Sequence, residues 1–153
     1  MDPAKGNEAP ARATVASVGG MVAAAHPLAA TAGARVLNDG GNAFDAAVAT
    51  AAALNVTEPF MSGLAGLGMA TCYVAAERTV RTLDFVPGAP GGFDPVRCTR
   101  DDIAWGPLSP AVPGSLAGWC TLAQDLGSRP LAVLLAPAIE LAEGGFPTGR
   151  LYS

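Results

Sequence analysis

A single histidine, His26, stands in the 153 residues. A nucleophile that relies on an imidazole base would have to use it, with Ser62 or Cys72 as the candidate hydroxyl or thiol. His26 lies just before Pro27 at a strand-to-helix junction, where the plainer role is a structural histidine satisfied by its neighbours. Acids of the same half include Asp39, Asp45, Glu58 and Asp84. Two of them brought together could do acid–base work. Their positions suggest simpler duties, since Asp39 falls at a helix stop, Asp45 at a helix start and Glu58 before a proline turn. One imidazole among these acids has no recognisable metal-ligand spacing. Gly63, Gly66 and Gly68 invite a phosphate-loop reading, but GxxGxG is neither GxGxxG nor GxxxxGK[ST]. The segment also runs into a strand, so no helix N-terminus would face an anion. The alternative is a turn at which two backbone segments approach closely.

Cys72, Cys98 and Cys120 are odd in number and show no CxxC spacing. That argues against a zinc site and a disulfide framework, and points to three reduced thiols, with one disulfide and one leftover thiol as the alternative. Trp105 and Trp119 lack neighbouring basic residues and make no stacking platform for nucleic acid. The net charge is −4 with no basic stripe, which argues against nucleic acid and anionic membrane surfaces as partners. Half the residues are apolar and 14% are charged, which suits one core-rich domain. The N-terminal stretch has no continuous apolar segment of the secretory type, so a cytoplasmic location is expected for the chain as it stands.

The elements that must position these residues follow from local signals. Residues 1–13 read as a disordered tail. Met21 to Ala25 is a short apolar run, read as a buried strand. His26-Pro27 opens a helix with proline near its first position. Leu28, Ala32, Arg35 and Val36 continue it, and Asn38-Asp39-Gly40-Gly41 stops it. Asn42 caps a second helix, with Asp45 completing a capping box. Residues 43–54 place small residues on nearly every face, so this helix should be buried on most sides. Glu58-Pro59 closes it. Met69 to Val74 and Thr79 to Phe85 read as a hairpin joined at 76–78. Residues 86–114 read as an irregular surface excursion. Ser115 is the expected N-cap of a helix to about Asp125, with Leu116, Trp119, Cys120 and Ala123 on its apolar face. Pro130 starts a further helical segment, which Pro137 restarts or kinks. Ile139, Leu141 and Ala142 should make its contacts before Gly144-Gly145.

Six segments in this order resemble the large subunit of gamma-glutamyltranspeptidases. They are GMVAAAHPLA (20–29), GGNAFDAAVA (40–49), EPFMSGLAGLG (58–68), LDF (83–85), PAVPGSLAGW (110–119) and LLAPAIELAEGGFP (134–147). The second is the most specific, being similar to the family's GGNAxDAAVA. The resemblance covers about 14–153. It implies an α+β fold, a partial αββα sandwich of the N-terminal-nucleophile hydrolase type. In this family the proenzyme cleaves itself, and the new N-terminal threonine of the small subunit attacks a gamma-glutamyl amide such as glutathione. The nucleophile's own α-amine serves as its base.

The threonine-led segment does not appear here. The resemblance therefore implies no catalytic residue, no metal and no cofactor in this chain, which should be catalytically incomplete alone. Its expected partners are the remaining large-subunit and small-subunit segments of the same enzyme, with a small amide as substrate of the complete form. Many bacterial relatives are periplasmic or secreted. The family arginine that pairs with the substrate's α-carboxylate follows LDF, where this chain has Val86. Valine offers no bidentate clamp, and some relatives act on other amides. Ala65 and Leu67 also stand where the family often has glycine. The alternative role is a non-catalytic binding or scaffold remnant of the same fold.

Overall fold

A computed structural model describes residues 14–89 and 91–149. The tail expected over 1–13 lies outside the described residues. Helix α1 spans Pro27–Asn38 and α2 spans Ala43–Thr57. A hairpin follows, β1 (Met69–Val74) and β2 (Thr79–Asp84), and then α3 (Arg100–Ala104), α4 (Ser115–Asp125) and α5 (Leu131–Gly144).

Helix α1 starts where proline's missing N–H costs nothing, and the His26 Nδ1 accepts the Leu28 amide at 3.2 Å. It ends in a Schellman closure. Gly41 N donates to Val36 O at 2.9 Å and Gly40 N to Leu37 O at 3.0 Å. Gly40 takes φ 82°, the left-handed conformation that glycine adopts without a Cβ penalty. Helices α1 and α2 approach closely at Gly33, where a Cβ would lie 2.0 Å from Thr50 Oγ1. Arg35 of α1 and Glu140 of α5 form an exposed ion pair at 2.6 Å, which solvent screens.

Helix α2 is the axis of the molecule, packed against α1, α5 and α4. Ala46, Val48, Ala49, Ala52 and Ala53 are buried, as its small-residue composition requires. It runs to Thr57 with Glu58 as its C-cap, the end that Glu58-Pro59 signals. The capping box at its start is complete. Asn42 Oδ1 accepts from Phe44 N (2.9 Å) and Asp45 N (3.0 Å), and Asp45 Oδ2 accepts from Asn42 N at 2.9 Å. Asn42 Nδ2 also donates to Leu126 O at 2.8 Å, which ties the cap to the end of α4. Asn42→Ala is therefore expected to cost about 2 kcal/mol in urea unfolding, the cap and the bridging bond together. Asn42→Gly should cost about 1 kcal/mol, because glycine restores the cap backbone but not the bond to Leu126.

The hairpin is antiparallel, with Met69 opposite Asp84 and Val74 opposite Thr79. Arg78 turns it at φ 55°. Cys72 and Val74 reach the core, whereas Tyr73 and Val80, paired across the hairpin, stand exposed.

Four expectations need correction. Met21–Ala25 is not a strand. Its residues alternate between exposed and half-buried, and Val22 packs toward Gly33, but β1 and β2 pair with each other and leave it no ladder partner among the described residues. The excursion after β2 contains α3, opened by a Thr99–Asp102 capping box. Ser115 is the first residue of α4 rather than its cap. Gly114 is the cap, and the buried face is Ser115, Gly118, Trp119 and Leu122, with Leu116 exposed. Helix α5 continues through Pro137 and buries Leu134, Pro137 and Ala138, while Ile139 is half exposed. Proline removes one helix bond, and burial of this face of α5 against α2 offsets that loss. Gly145 stops α5 at φ 75°.

Candidate functional site

Three of the resembling segments converge at one place. Gly66 O accepts from both Gly114 N (2.9 Å) and Ser115 N (3.0 Å), so the turn after α2 is bonded to the start of α4. Phe85 N donates to Gly68 O at 3.1 Å, which carries the hairpin pairing one residue past β2. The Phe85 ring lies over Gly68 and Gly118. A Cβ at Gly68 would be 2.6 Å from that ring, and one at Gly118 would be 2.5 Å from it. At Gly114 a Cβ would meet Phe85 O at 2.2 Å. The glycines serve as close-approach points between backbones. The segment 63–68 is thus the close-contact turn, and the Gly66 amide is already taken by Gly63 O at 2.9 Å.

A cleft of about 560 Å³ opens beside this junction. Its polar groups come from Asn55, Ser62 and Ser115, and its apolar walls include Leu54, Phe85 and Trp119. Ser62 Oγ donates to Glu58 O at 3.2 Å. Val86 follows Phe85 at once and is 45% exposed. Its amide donates to Asp84 Oδ1 at 2.9 Å, so the Asp84 carboxylate sets the direction in which the chain leaves β2.

The other candidate residues have structural duties. His26 caps α1, and its ring meets Phe146 edge-on at 6.2 Å. Cys72 is buried in the core, and all three cysteines are free. Asp39 ends α1, and its carbonyl accepts from Arg129 Nη2 at 2.6 Å. Glu58 ends α2. The structure does not bring His26 together with Ser62, Cys72 or these carboxylates. Among the described residues no three His, Cys, Asp or Glu side chains cluster as a metal site, and no helix is long and apolar enough to cross a membrane.

The most heavily bonded acid is Asp45, fully buried. Besides the Asn42 amide it accepts from Ser128 N (2.9 Å), Ser128 Oγ (2.6 Å) and Arg129 N (3.3 Å). Burial alone would push its carboxyl up. The Ser128 hydroxyl and the amides of Asn42, Ser128 and Arg129 outweigh that and hold it below the usual carboxylate range. The capping box signalled Asp45 in the sequence, but Ser128 and Arg129 carry no local sign of this role.

A family model described as gamma-glutamyltranspeptidase matches residues 29–153. The chain belongs to the gamma-glutamyltranspeptidase family. It is 44% identical over 140 residues to the Acylase ACY 1 proenzyme of Pseudomonas sp. (strain V22), covering 83% of this chain and 25% of that protein. It is 43% identical over 136 residues to the glutathione hydrolase proenzyme of Bacillus subtilis (strain 168), covering 84% of this chain and 23% of that one. Its fold superposes on Helicobacter pylori gamma-glutamyltranspeptidase with a TM-score of 0.79 at 33% identity, over 88% of this chain and 40% of the other. The chain spans about a quarter of the length of the curated relatives it matches.

Proposed function

We propose that this chain forms the N-terminal structural layer of an amide-cleaving enzyme of the family, and that the acyl group it serves is not gamma-glutamyl. Val86 carries this reading. It leaves the end of β2 with an apolar side chain at the position where the resemblance expects the arginine that clamps an α-carboxylate. Similarity to a protein named an acylase, at an identity matching that to a glutathione hydrolase, supports it. In this reading the helices and hairpin hold the turn 58–68 and the end of β2 in register. The threonine nucleophile, its α-amine base and the remaining strands of the αββα sandwich come from other segments of the enzyme. The acyl group would pass to the threonine hydroxyl oxygen as the amine leaves, and then to water.

Two measurements test the reading. The 153-residue chain, incubated with a chromogenic gamma-glutamyl anilide, should give only the background rate. A family-length polypeptide carrying this chain should hydrolyse an uncharged acyl anilide faster than the gamma-glutamyl one, and Val86→Arg should reverse that preference by at least tenfold through KM. Turnover by the purified chain that a point mutation abolishes would overturn the first expectation. A wild-type preference for gamma-glutamyl would overturn the second. A folded, family-length polypeptide inert on both would leave a binding role.

A further inference from the structure

The outer face of the hairpin sets a second residue beside Val86. The register pairs Met69 with Asp84, and the bond from Phe85 N to Gly68 O adds the next pair. One further step along that register sets Leu67 opposite Val86. Burial keeps the same alternation over these residues. Leu67 and Met69 are exposed on either side of half-buried Gly68, as are Asp84 and Val86 on either side of Phe85. A period of two is the mark of a pleated strand, so the pleat continues past the ends of β1 and β2 and puts Leu67 and Val86 on one face. Residues directly opposite on one face hold their Cβ atoms about 5 Å apart. Leu67 is 55% exposed, and Met69, diagonal to Val86, is 64% exposed. Leu67 also lines the cleft of about 560 Å³, so the pair stands at its edge. The resemblance expects an arginine where Val86 stands and often a glycine where Leu67 stands, a cation facing open space. This chain has two aliphatic side chains there instead.

We propose that Leu67 is a specificity-determining residue, which together with Val86 receives the acyl group of the substrate, and that this group is an apolar chain without a carboxylate. The inference rests on the functional reading above, which puts Val86 against the acyl group. Leu67, one strand away on the same face, then meets the same group. Two aliphatic side chains offer no donor and no acceptor, so what they recognise is apolar area. Met69 lengthens the strip with a thioether that adapts to the shape laid on it. Asp84 is exposed on the same face, two residues before Val86. Like charges repel, so its carboxylate disfavours an acyl group that carries one of its own.

An acyl-chain series tests the assignment. A family-length polypeptide carrying this chain would be assayed with the acetyl, butyryl, hexanoyl and gamma-glutamyl 4-nitroanilides. In the wild type kcat/KM is expected to rise about tenfold or more from acetyl to hexanoyl, since each fully buried methylene is worth about fourfold. Leu67→Ala should cut that rise to about threefold or less, through KM for the hexanoyl substrate. Leu67→Gly, which restores the glycine of the family pattern, should do the same. Leu67→Met keeps the apolar length and should keep the rise. A role confined to folding would lower the rate on every acyl group alike and leave the rise intact, which would overturn the proposal. A rise that both truncations leave unchanged would also overturn it. So would a wild type that prefers acetyl to gamma-glutamyl but gains nothing from a longer chain. These three outcomes spare the functional reading. A wild type that prefers the gamma-glutamyl anilide overturns that reading, and the proposal with it. A folded polypeptide inert on all four overturns the proposal and leaves a binding role.

Discussion

Asp45→Ala is expected to destabilise the chain by about 3 kcal/mol in chemical unfolding, because it strands the Ser128 and Arg129 amides and the Ser128 hydroxyl together. The same carboxylate should make the protein acid-sensitive. Its folded pKa lies below the ordinary value, so the unfolded chain takes up the proton first as the pH falls. The stabilisation is complete above the ordinary carboxylate range, near pH 4, and is lost as the pH drops through the lower folded value. Thermal midpoints of the wild type should fall more steeply below about pH 4 than those of Asp45→Asn. Parallel curves would show that the acid sensitivity arises elsewhere.

Gly114→Ala is expected to cost about 2–3 kcal/mol, at the upper end of overpacking effects, because the new methyl would meet a backbone oxygen, Phe85 O, at 2.2 Å. Either α4 or the end of β2 must move. The bonds from Gly114 and Ser115 to Gly66 O should weaken with it. The effect should reach Val86, one residue beyond Phe85. In a family-length enzyme Gly114→Ala should therefore reduce kcat/KM even where it folds. A substitution at Gly88, where a Cβ meets nothing within 4 Å, is the matched control. Equal stability for the two variants would mean that the junction is looser than its geometry states.

What could be read from the sequence alone was mostly local. The Asn42–Asp45 capping box spans three residues and needs no tertiary information, so it was legible, as were the Gly40-Gly41 stop and the hairpin. The Thr99–Asp102 box carried the same kind of signal and would have located α3, but the surrounding prolines and glycines masked it. The face of α4 was read correctly at Trp119 and Ala123, but Ser115 looks like a cap, whereas its amide is held by Gly66, far away in sequence. Met21–Ala25 has strand composition, but a strand is defined by its neighbour, and composition cannot supply one. The junction of Gly66, Phe85 and Gly114 was visible only as separate motifs, since nothing in their spacing says that they touch.

The staple at Asp45 joins residues 83 apart in the chain, and the Asn42 bond to Leu126 runs beside it across 84. Both span the exposed stretch that holds Val96, Trp105 and Leu108. The two halves of the domain are thus fastened to each other directly, through α2 and the loop before α5, and not through the strand of backbone that connects them. A peptide bond cut in that stretch leaves the helical layer gripped from both sides. That stretch is accordingly free to lengthen, shorten or change its residues with little cost to the scaffold, which makes it the natural place for members of this fold to diverge.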